Sequence, residues 1–216
     1  MAVNDAPPKA PADADQNSRL GPIAGIVFIA SVILSSILFG DVGAEPSDPA
    51  SEVVAQYLDT EQDIEAAALV AMLGIGPLLV FLPIQRDRMR SRGATWEAET
   101  LVLGFAFLAL ATMVDTGVDL MGRVGAEHGH QEVAQAANDF TWNIVWLYSP
   151  GLLAIGLAAT SAGLRHRGLP RWLGAFGAVV AVGAVMPWIG LFVGLVWMLA
   201  LSIYELVQRR SGSRSA

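Results

Sequence analysis

Six predominantly apolar runs, at residues 21–40, 66–84, 101–118, 142–164, 173–186 and 189–206, dominate the 216-residue chain. A hydrocarbon layer about 30 Å thick requires roughly 20 such residues in a helix, because no water is present to satisfy exposed backbone groups. All six runs meet or approach that length. The fifth is the shortest, and the last two share the hinge Met186-Pro187-Trp188-Ile189-Gly190, which predicts a tight helical hairpin. The expected fold is therefore all-α: a polytopic bundle of six transmembrane helices over residues 21–207. A polar tail of residues 1–20 precedes it and a short basic tail, 208–216, follows. The leader is too acidic and the first apolar run too long for a cleaved signal peptide.

Charge orients the bundle. Lys9 and Arg19, then Arg86, Arg88, Arg90 and Arg92, then Arg165, Arg167 and Arg171, then Arg209, Arg210 and Arg214 all fall on one side of the alternating spans. Only Arg123 falls on the other. Residues 41–65 carry eight acidic side chains and no basic one. Basic residues accumulate in cytoplasmic loops, so both termini are expected in the cytoplasm of a plasma-membrane protein. The inner arginine loops, His166 among them, are expected to attract anionic lipid headgroups.

Composition removes whole classes of function. With no cysteine, disulfide scaffolds, thiolate metal sites and iron–sulfur clusters are excluded. The single lysine lies in the polar leader, so no Schiff base forms within a span. None of the three histidines falls inside a long apolar run, which argues against membrane haem. A net charge of −7 argues against nucleic acid as a partner. Nucleotide-binding glycine loops, zincin helices and serine nucleophile elbows are absent from the sequence, so no cofactor and no catalytic residue is assigned and the chain is read as non-enzymatic. His128 and His130 with Glu127 make only a weak metal signature.

Val54-Ala55-Gln56, Arg86 and Arg88 reappear 79 positions later as Val133-Ala134-Gln135, Arg165 and Arg167, and Gly25 and Phe28 fall on Gly104 and Phe107. This pattern suggests three hairpins, the first two a weak parallel repeat. Asp48 before Pro49 is an expected N-cap for an outer helical turn. The glycine pairs Gly21 and Gly25, and Gly190 and Gly194, with Gly174 and Ala178, are expected to pack within the chain, a homo-oligomer face being the other use of such spacing.

The segment Leu164-Arg165-His166-Arg167-Gly168-Leu169-Pro170-Arg171-Trp172-Leu173-Gly174, with Val133-Ala134-Gln135, Asn138-Asp139 and Asp48-Pro49, resembles a family of six-helix integral membrane proteins of actinobacteria. That family has no assigned reaction. The resemblance implies a multi-pass bacterial membrane protein and supplies neither substrate nor site residues.

Ionisable groups inside spans are costly and mark candidate sites. Asp115 and Asp119 lie one turn apart on the third span, and Arg123 extends the same face as a counter-charge. Asp139 and Asn143 on the fourth span, flanked by Trp146 and Tyr148, are expected to converge with them on an acidic outer vestibule suited to protons or hard cations. The inner halves of the spans read as apolar. Gly74, Gly76 and Pro77, and Pro150 with Gly151, are expected to break the second and fourth spans. Glu205 and Arg209 are expected to pair. A transporter-like or small-solute-binding protein is one reading; the other is a non-catalytic accessory or scaffold subunit of a larger membrane complex.

Overall fold

The computed structural model describes residues 13–39, 44–59 and 63–212. Lys9, Asp41, Glu61 and Arg214 lie outside the described residues. Within them the chain is helical, with no strand: α1 (Asp13–Phe39), α2 (Ala50–Tyr57), α3 (Ile64–Ser91), α4 (Thr95–Glu127), α5 (Gln131–Ile144), a 3-10 turn at Val145–Tyr148, α6 (Ser149–Leu164), α7 (Arg171–Gly183) and α8 (Pro187–Gly212). Five segments are long and apolar enough to cross a membrane: Arg19–Phe39, Ile64–Ser91, Thr95–Glu127, Gln131–Leu164 and Pro187–Gln208. The fifth apolar run of the sequence, by contrast, forms only the 13-residue α7. Its rise of about 20 Å falls short of the hydrocarbon thickness.

Several sequence expectations are corrected. Helix α1 starts at Asp13, ahead of its apolar span, and α8 continues past its own to Gly212. Helix α3 runs unbroken through Pro77, because a proline removes one backbone bond and the rest of the ladder holds. The fourth span is interrupted upstream of the expected place, by the 3-10 turn at Val145–Tyr148, while Pro150 and Gly151 lie within α6, where proline is tolerated in the first turn. Asp48 does not cap α2. Its carboxylate accepts from the Glu45 amide at 2.7 Å, while its own amide donates to the Glu45 carbonyl at 2.9 Å, closing the preceding turn.

Six helices close into a ring in the order α1, α3, α4, α6, α7, α8 and back to α1, with α2 and α5 packed on each other at one end. Lipid offers no hydrophobic drive for helices to associate, so close backbone approach does that work. A Cβ built on Gly163 would fall 2.5 Å from the Gly174 Cα, and one on Gly156 would fall 2.4 Å from the Ala181 nitrogen. Helices α6 and α7 thus touch backbone to backbone. Gly190 meets Gly183 across the α7–α8 turn in the same way, and Gly21 and Gly25 of α1 receive Ile84, Phe81 and Ser202. The glycine pairs read from the sequence therefore pack within the chain. The ring is filled by Phe81 and Phe105 in an edge-to-face contact, centroids 6.1 Å apart, and by fully buried Trp197, whose indole donates to the Leu173 carbonyl at 2.9 Å.

The outward surface is oily. Helix α4 exposes Leu103, Leu110, Val114, Met121 and Val124. Between the first and last of these the helix rises about 31 Å, the thickness of a bilayer core.

Candidate functional site

The turns of α4 and α5 interlock antiparallel because α4 offers glycine at each crossing. Gly125 receives Val133, and Gly122 receives Ala137. One turn further along, the Thr141 hydroxyl donates to Asp119 Oδ1 at 2.9 Å, and beyond it the Tyr148 hydroxyl donates to Asp115 Oδ2 at 3.0 Å. The 3-10 turn is what delivers Tyr148, since it lies against α4, α5, α6 and α8 together. Asp119 is buried at 3% exposure and Asp115 is half-buried.

A fourth group comes from α2. Tyr57 is 2% exposed, and its ring tip rests on Gly122, where a built Cβ would lie 2.6 Å from Cζ and 2.7 Å from the hydroxyl oxygen. That hydroxyl has no hydrogen-bond partner among the described residues, and neither does Asp115 Oδ1. Burial first, then the Asp119 and Asp115 carboxylates, push the Tyr57 phenol well above its ordinary range, so it stays a neutral donor. Buried Asn138 sits beside Ala137 on α5, three residues before Thr141, and its Nδ2 is also without a partner among the described residues. This end of the bundle therefore holds two carboxylates a turn apart, in the company of two phenols and a threonine.

Other predicted residues lie elsewhere. The Asp139 carboxylate accepts from Gln135 Nε2 at 3.2 Å on its own helix, and Asn143 is exposed, donating to the Asp139 carbonyl at 2.7 Å. Trp146 is 61% exposed and faces outward rather than into a vestibule. Arg123 pairs with Glu127 at 3.0 Å, one turn further along α4, rather than with Asp119. Trp142 donates to the Ala44 carbonyl at 2.7 Å, tying the loop before α2 to α5. His128 bonds the Val124 carbonyl, and no cluster of three metal-ligating side chains occurs among the described residues.

The opposite end of the bundle, around the start of α4, is less apolar than its sequence suggests. Glu97, fully buried near the start of α4, accepts from the Ser161 hydroxyl at 3.1 Å. Gln85 and Ser202 are buried as well. Glu205 receives Arg88 of α3 in a short, mostly buried ion pair. This pair reaches across the ring; the Arg209 side chain, expected to pair with Glu205, lies outside the described residues. Glu99 binds Arg86 and Arg90 nearer the surface.

Comparison with protein-family models, with curated proteins and with solved structures finds no match to this chain.

Proposed function

We propose that the protein is a six-crossing plasma-membrane protein, transporter-like or solute-binding, whose Asp115 and Asp119 pair takes a proton or a hard cation from the outer side. The observation that carries this reading is the depth and company of the two carboxylates. Exposed apolar side chains on α4 continue to Val124, about 13 Å of helical rise beyond Asp115. Both acids therefore lie within the hydrocarbon depth, and both are met by hydroxyls rather than by a basic side chain. An uncompensated buried carboxylate costs several kcal/mol, so a bound proton or cation is the economical way to hold the pair. Asp115 Oδ1 and the Tyr57 oxygen are the unspent hard ligands.

An even number of crossings fits the Arg88 and Glu205 pair, which sets the C-terminal ends of α3 and α8 at one level. Helix α7 then runs outward part-way and α8 returns. The accessory reading keeps its own support: between Glu97 and Asp115 the inward face of α4 is closed by buried Leu101 and Phe105, and Gly104 lies against Ile155. That apolar plug separates the two polar ends.

The deciding experiment measures thermal unfolding of purified protein across Na⁺, K⁺, Ca²⁺ and pH. A cation at one hundred times its dissociation constant stabilises by about 2.7 kcal/mol, and Asp115→Asn abolishes that gain. Melting that ignores both cations and pH between 4 and 9 would falsify the site. Dissipation of an imposed pH or cation gradient in proteoliposomes separates transport from an accessory role.

A further inference from the structure

We propose that the groove between α4 and α6 at the inner membrane boundary is a binding site for one anionic phospholipid. This stands apart from the carboxylate pair. The groove has a volume of about 430 Å³ and is lined by Trp96, Thr100, Leu157, Thr160, Leu164 and Arg165, with Ser161 at its floor. That volume is within the range of small-molecule sites. Its order along the membrane normal is that of a lipid. Arg165, the residue that ends α6, is exposed at the mouth and makes no ion pair among the described residues. Trp96, 47% exposed in the first turn of α4, stands beside it at the depth where indoles meet headgroups. Leu164 and Leu157, at 72% and 52% exposure, continue toward the membrane centre over about 10 Å of helix, the path of an acyl chain.

Charge selects an anionic headgroup. The two acids nearest the groove are already spoken for: Glu97 is fully buried behind the Ser161 hydroxyl, and Glu99 is engaged by Arg86 and Arg90 of α3. Thr160 spends its proton on the Gly156 carbonyl at 2.7 Å. The mouth therefore presents the Arg165 guanidinium, with Arg167 next along the exposed loop. Arginine offers a planar fork of donors that matches a phosphodiester.

The test is native mass spectrometry of the purified full chain titrated with phosphatidylglycerol or with phosphatidylcholine of the same acyl chains. One tightly held phosphatidylglycerol is expected, displaced poorly by phosphatidylcholine. Arg165→Ala weakens it about fivefold, the effect of one basic contact at a membrane surface. Leu157→Trp, which fills the groove, weakens it further, and Arg167→Ala leaves it unchanged. Equal binding of the two lipids, wild-type affinity in Arg165→Ala, or an equal loss in Arg167→Ala would each overturn the site in favour of a diffuse basic surface. Should Leu157→Trp fail to fold, the two arginine variants decide alone.

Discussion

Replacing Gly122 with alanine tests whether Tyr57 really reaches across from α2 to the carboxylate helix. The added methyl would sit 2.6 Å from Tyr57 Cζ, 2.7 Å from its hydroxyl oxygen and 2.8 Å from the Ala137 Cβ. Three contacts below 3 Å, on two different helices, leave no side for the methyl to relax toward. Overpacking of this kind costs about 1–3 kcal/mol. Gly117 of the same helix supplies the matched control, since nothing lies within 4 Å of its built Cβ. There the same substitution gains about 0.5–1 kcal/mol from helix propensity. At roughly 2–4 °C per kcal/mol for a chain of this size, Gly122→Ala should melt about 2–12 °C below wild type while Gly117→Ala melts at or above it. Far-ultraviolet circular dichroism in detergent reads both. If the two variants melt together, Tyr57 is not packed on α4 and the carboxylate site loses its α2 member.

Three further outcomes follow from the geometry. Arg88→Ala strands Glu205, whose side chain is only 12% exposed, and should cost about 3–5 kcal/mol; Arg88→Met combined with Glu205→Met should recover most of that in chemical denaturation. His166 occupies a left-handed conformation, φ 54°, at the end of α6, where the Arg167 amide bonds back to the Ala162 carbonyl at 2.8 Å. Glycine is the residue suited to that position, so His166→Gly should stabilise by about 1 kcal/mol in the same melt. Because the folded state holds the Tyr57 phenol neutral beyond its ordinary value, its contribution is complete below about pH 10 and declines as the pH rises above that. Tyr57→Phe should flatten the alkaline fall in melting temperature, and an unchanged alkaline slope would refute the placement.

The helical class was legible because apolar runs of membrane length admit few other solutions, and the i,i+4 spacing of Asp115 and Asp119 put both on the inward face of α4. What the sequence hid was partner choice. Tyr57 lies in a short helix whose buried residues are only Val53 and Tyr57, so its tertiary contact left no trace beyond that four-residue spacing. Glu97 follows Trp96 in a first helical turn, where an acid ordinarily serves the helix end; only its register with Leu101, Gly104 and Asp115 could have signalled burial. Arg123 stood one turn from both Asp119 and Glu127, so spacing alone could not choose between them. The inert-looking groove beside Arg165 combines residues about sixty positions apart, which no local pattern records.

The pairing of Arg88 with Glu205 spans 117 positions, and the ring is complete only when α8 has come to rest on α1. During synthesis Arg88 must therefore wait at the membrane's edge while four more helical segments enter. The arriving α8 brings in Ser202, over Gly25, and Glu205 together, so assembly ends with a latch rather than with gradual tightening. Chains halted before α8 should be recognisable as unfinished by a ring still open between α1 and α7.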